Sequence, residues 1–188
     1  MDNSTITSTA KTTALITFIG GTILLLVFYL TNNREIASVG LIYAVIMTIV
    51  NLLVLGKLLI QSYQYKIKRQ IIFKVAGLML LNVPILVLYC WIGIILLNTV
   101  RITFVNKGPT EIKDLKISGC EENYIEKLSS GQSKTVWVSI PHDCGVSITY
   151  KLNGQTKEED VTGYVTNEGG YITTFKIRTN QKAYDHDL

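Results

Sequence analysis

The apolar positions of this chain fall into two regimes that meet near Asn98. Three long runs come first: Ala14–Leu30 (ALITFIGGTILLLVFYL), Ile36–Gly56 (IASVGLIYAVIMTIVNLLVLG) and Val75–Leu97 (VAGLMLLNVPILVLYCWIGIILL), none with a charge in its interior. A hydrocarbon core of about 30 Å is crossed by about 20 apolar residues in a helix, and a soluble core helix rarely stays apolar on every face. The pattern predicts three transmembrane helices. After Asn98 the period falls to two. Ile102 and Phe104 alternate with polar neighbours, as do Leu115 and Ile117, then Val136, Val138 and Ile140. The same holds for Val146, Ile148, Tyr150 and Leu152, and for Tyr171, Thr173, Phe175 and Ile177. Such alternation marks half-buried strands.

With Tyr124–Leu128 and Lys157–Thr166 added, about seven strands follow one another at the spacing of a β-sandwich. Asn153-Gly154, between two alternating runs, is a hairpin signal. The expected fold class is therefore membrane α plus β: three N-terminal transmembrane helices, then an extracytoplasmic all-β sandwich of immunoglobulin-like general shape. The Cys…Trp…Cys spacing of true immunoglobulin domains is absent, because Trp137 lies only seven residues before Cys144. The expected organisation is a cytoplasmic tail (1–13), a three-helix membrane region (14–97), the β domain (98–180) and a flexible C-terminal tail (181–188). The first run also has the length of a signal peptide, but no small-x-small site follows Leu30; the nearest, Ile36-Ala37-Ser38, already lies in the next run. A retained span is expected.

Charge sets a direction. Residues 1–98 hold seven Lys/Arg and two acids, and residues 99–188 hold eleven and twelve, so the net +4 belongs to the first part. Lys57, Lys66, Lys68, Arg69 and Lys74 cluster on the connection between the second and third runs, whereas the first connection has only Arg34 beside Glu35. Basic connections stay cytoplasmic. The N-terminus is then inside and the β domain outside, periplasmic or extracellular, on a multi-pass inner-membrane protein. The β domain has no basic surplus, so no nucleic-acid partner is expected.

Two cysteines of the β domain, Cys120 and Cys144, read as a disulfide in an outward domain. The chain's one Asn-x-Ser/Thr sequon, Asn3-Ser4-Thr5, falls on the cytoplasmic side, which favours a bacterial envelope. Within the spans, Asn51 and Asn82 fall at one level, with Gly20 and Gly21 at similar depth. They read as intramembrane packing, worth roughly 0.6–2 kcal/mol per hydrogen bond, with a polar pathway as the functional alternative. Pro84 should kink the third helix. No ionisable residue lies mid-span, which argues against a proton relay.

No catalytic signature appears. Only two histidines exist. His142, beside Asp143 and Cys144, and His186, between Asp185 and Asp187, are the only metal candidates; an ordinary turn and a solvated tail account for them. Glu121/Glu122 and Glu158/Glu159/Asp160 read as solvated faces. No cofactor is expected. The linker of about two residues after Leu97 is too short to let the β domain wander. The chain thus reads as a non-enzymatic membrane protein that docks a protein partner, as a subunit of an envelope complex, with self-association also allowed. By architecture alone it resembles the small multi-span immunity proteins that guard the inner membrane against toxins. A small-ligand transport or signalling component is the third reading.

Overall fold

The computed structural model describes residues 3–65 and 69–178. Three helices, α1 (Asn3–Thr31), α2 (Arg34–Tyr65) and α3 (Arg69–Leu97), precede β1 (Thr99–Asn106), β2 (Ile112–Gly119), β3 (Asn123–Leu128), β4 (Ser133–Ser139), β5 (Cys144–Leu152), β6 (Gln155–Val165) and β7 (Ile172–Ile177). The chain divides into two compact units, Met1–Ile94 and Ile95–Leu188.

All three helices are long and apolar enough to cross a membrane. Their surfaces expose large aliphatic groups such as Leu26, Leu53 and Leu81. Each helix outruns its apolar stretch. Helix α1 starts well before Ala14, and α2 runs on to Tyr65. Lys57 and Lys74, expected in a connecting segment, therefore lie inside α2 and α3. The reason is that Lys, Leu and Gln are good helix formers, and a helix continues wherever its backbone bonds continue. Arg69 opens α3, while Lys66, Lys68, His186 and the 181–188 tail lie outside the described residues. Helix α3 passes through Pro84 unbroken. Between α1 and α2, Asn32 adopts a left-handed conformation (φ 48°), and Asn33 Oδ1 accepts the Glu35 amide at 2.8 Å. One asparagine ends a helix and the next caps the start of another.

In the second unit the strands form two sheets, ordered β4-β1-β7 and β3-β2-β5-β6. Strand β1 is antiparallel to β4 but parallel to β7. One cluster of buried side chains draws on both sheets, with Val100, Ile102, Phe104 and Val138 from the first and Leu115, Ile117, Ile125, Ile148 and Tyr150 from the second. The period-two alternation puts these residues on one surface of each sheet. Asn106 is buried but fully used: its Nδ2 donates to the Thr110 and Leu128 carbonyls, and its Oδ1 accepts the Gly108 amide. It closes the turn out of β1.

Residues 95–98 belong to this unit by their bonds. The Gly170 amide donates to the Leu97 carbonyl, and the Ile140 amide to the Asn98 carbonyl. The Glu168 amide donates to Asn98 Oδ1 at 3.1 Å, and Thr99 Oγ1 to the Ile95 carbonyl at 2.7 Å.

Candidate functional site

In the first unit, polar contacts converge on one stretch of α1. A Cβ on Gly20 would come 2.1 Å from the Tyr43 hydroxyl of α2, and a Cβ on Gly21 would come 3.2 Å from the Tyr89 ring of α3. Two adjacent glycines thus admit two tyrosines from different helices. The Tyr43 hydroxyl donates to the Ile16 carbonyl at 2.8 Å. The Tyr89 hydroxyl meets Thr22 Oγ1 at 2.6 Å. Asn51 Nδ2 donates to Thr17 Oγ1 and to the Met47 carbonyl, both at 2.7 Å, and Asn82 Nδ2 donates to the Ala14 carbonyl at 3.2 Å. The two amides therefore share α1 as their partner. Such ties are worth roughly 0.6–2 kcal/mol each in an apolar medium. An open hollow of about 590 Å³ along α1 is lined by Thr5, Ser8, Thr9, Thr12 and Thr13, and neither asparagine borders it.

In the second unit, Cys120 and Cys144 are joined as a disulfide with Cα atoms 5.2 Å apart. It ties the end of β2 to the start of β5. The bond removes Cys120 and Cys144 from any ligand set with His142. Among the described residues no three His, Cys, Asp or Glu side chains come together as a metal group.

The outward surfaces of the two sheets differ in chemistry. On β4-β1-β7 the surface opposite the core carries Thr135, Trp137, Thr103, Ile172 and Thr174, with Thr99 and Arg101 covered and Lys176 as an exposed charge at its far end. On the other sheet that surface includes Lys113, Lys116, Tyr124, Lys151, Glu158 and Asp160. That second surface is organised around Asp114. Ile112 and Leu115 are both buried although three residues apart, and the register against β5 shifts between Lys113 and Lys116 to absorb the odd residue. Asp114 sits in this irregularity at φ 53°. The bulge re-aims its side chain. Its carboxylate accepts the Tyr124 hydroxyl at 2.6 Å and Lys151 Nζ at 2.9 Å. The Tyr124 ring remains 57% exposed.

The hydrogen bond from Tyr124, then that from Lys151, hold the Asp114 carboxyl below the usual carboxylate range. Reciprocally, the bond to Asp114 raises the Tyr124 hydroxyl above its ordinary value. For a depressed carboxylate the linkage has one sign: its stabilisation is complete above the unfolded value of about 3.9 and is lost as pH falls through the folded value. An NMR titration should therefore place the Asp114 midpoint below about 3.9 and move it upward in Tyr124→Phe. A midpoint that ignores the loss of the hydroxyl would remove Tyr124 from this arrangement. A separate Tyr–carboxylate pair, Tyr150 with Glu159, closes the core edge at β6. Burial, then Glu159, push the Tyr150 hydroxyl up.

Sequence reasoning located the cysteines, asparagines and glycines but missed Tyr43, Tyr89, Asp114 and Tyr124. For Asp114 a signal was present, since Ile112 and Leu115 break the strict alternation. For the tyrosines the partners lie on other elements, which periodicity does not encode.

No protein-family model matches the chain, and no curated protein matches it. Among solved structures it is similar to the NMR structure of a protein from Eubacterium rectale, at 19% identity over 46% of this chain and 82% of that one, with a TM-score of 0.35. A likeness of that size does not define a shared fold.

Proposed function

We propose that the chain is a non-enzymatic, three-span inner-membrane protein whose second unit, a β-sandwich outside the cytoplasm, docks a protein partner as a subunit of an envelope complex. The spanning part is supported by three helices of sufficient length and apolarity. The orientation is supported by the basic residues between the second and third apolar runs. An oxidising compartment for the second unit is supported by its cysteine pair.

The observation that carries docking is the Asp114 arrangement. A left-handed non-glycine residue in a sheet interior is a conformational cost, and such costs concentrate at functional surfaces. Here it fixes one hydroxyl and one ammonium group and presents an exposed aromatic ring among mixed charges. Rigid tyrosines in such settings are frequent anchors of protein interfaces. A benzophenone side chain at position 124 of the full chain, illuminated in intact cells, is expected to give one discrete protein adduct. Tyr124→Ala should abolish co-purification of that same protein in mild detergent while the second unit stays folded, with only the small fall in melting temperature that loss of the bond to Asp114 brings. No adduct at position 124, together with recovery of the chain alone under several gentle conditions, would sink the reading.

A further inference from the structure

We propose that Trp137, with Ile172 across Arg101 in the same row, is seated in the lipid headgroup layer of the membrane that holds the helices. The inference rests on the membrane-spanning reading above and adds a second contact surface to it. Trp137, Arg101 and Ile172 form one row across β4, β1 and β7, with Arg101 paired to both neighbours. Trp137 and Ile172 are each 42% exposed, whereas Arg101 is 6% exposed. The Arg101 guanidinium lies 5.2 Å from the centre of the Trp137 ring. A covered cation therefore holds an exposed indole; the row beyond it, Thr103, Thr135 and Thr174, carries no charge, and on the Leu97 side the Ser139 amide donates to the Glu121 carboxylate at 2.7 Å.

Chain reach identifies the occupant. Arg101 is the fourth residue after Leu97, the end of the third apolar run. Fully extended residues span at most about 3.3–3.6 Å each, which keeps Arg101 within about 14 Å of Leu97. Trp137 is its cross-strand neighbour, about 5 Å further. The path is shorter than that limit, because Thr99 Oγ1 still bonds the Ile95 carbonyl. A bilayer holding α3 therefore has its interface within reach of this indole. Tryptophan favours that layer, with its ring against acyl chains and its N–H toward water. The outward surface of the β3-β2-β5-β6 sheet, crowded with Lys, Glu and Asp, has the opposite character.

The chain has two tryptophans, Trp91 in α3 and Trp137. The full-length protein in nanodiscs of phosphatidylcholine and phosphatidylglycerol, doped with nitroxide lipids, gives the test. Trp91→Phe leaves Trp137 as the only indole, and Trp137→Phe leaves Trp91. Trp91→Tyr is a second background should the first fold poorly. Trp137 emission is expected to fall steeply with a headgroup nitroxide, less with one deep in the acyl chain, and little with aqueous iodide. Quenching by iodide but by no lipid nitroxide would overturn the proposal. Shielding from both would also overturn it and would indicate cover by protein, whether a second copy or a partner. Trp91 reports separately: if no lipid nitroxide quenches it, the spanning reading fails first.

Discussion

Gly170→Ala is expected to lower the melting temperature of the second unit by far more than an ordinary surface Gly→Ala change. A Cβ at this position would lie 2.5 Å from the Leu96 carbonyl oxygen and 2.6 Å from those of Leu97 and Thr99. All three are backbone atoms at the end of α3 and the start of β1, so no side-chain rotation relieves the overlap. The Gly170 amide also donates to Leu97 at 2.8 Å, a bond that the displaced chain would lose. Overpacking plus one lost buried hydrogen bond amounts to about 3 kcal/mol. At roughly 4–8 °C per kcal/mol, the shift exceeds about 10 °C. Gly131→Ala is the control. Gly131 has φ 74° but open space around its Cβ position, so only the left-handed penalty of about 1 kcal/mol applies. Circular dichroism of the two variants in the same detergent separates crowding from conformational strain. Equal melting points would mean that the contact at Gly170 is not tight.

Removing the Cys120–Cys144 bond is the other large effect. The bond joins residues 24 apart. By the chain-entropy model, a closed loop of about 25 residues contributes about 3.5 kcal/mol. That is a large share of the stability of a domain this small. Cys120→Ser/Cys144→Ser should melt well below the parent, and reductant should lower the parent to the same point. The one free cysteine among the described residues, Cys90, is exposed on α3, so labelling is done in Cys90→Ala. A membrane-impermeant maleimide on intact cells should modify Cys120 and Cys144 only after reduction. Immediate labelling of both overturns the bond. No labelling even after reduction overturns the outward placement of the second unit.

Much of this architecture is legible in the amino-acid sequence. Apolar run length exposed α1, α2 and α3, because sustained hydrophobicity on every helix face has few physical explanations. Alternation exposed the strands, because Ile102 and Phe104 share one surface of β1, and Ile148 and Tyr150 one surface of β5. Apolar run length does not reveal helix ends: nothing in KLLIQSYQY from residue 57 shows that the backbone keeps its bonds through Tyr65. Asn51 and Asn82 were placed at one level, yet their hydrogen-bond partner, α1, is a matter of three-dimensional packing. The candidate docking surface was the least legible part. It depends on a one-residue slip in β2 that converts Asp114 from an ordinary strand residue into the holder of Tyr124 and Lys151.

The parallel pairing of β1 with β7 bears on the order in which a ribosome delivers the chain. Strand β1 is made first among the strands, but its partners are β4 and β7, and Ile172 lies roughly 70 residues beyond Arg101. Until β7 emerges, β1 has one bare edge and the Phe104 ring lacks its edge-on neighbour Phe175. The β3-β2-β5-β6 sheet, built from nearer partners, can form in the meantime. The nascent domain therefore passes through a stage in which a strand made of VRITFV offers an open edge to any extended segment nearby. For such a topology the exposure of β1 itself is confined to synthesis and ends when β7 pairs with it, leaving β4 and β7 as the edges.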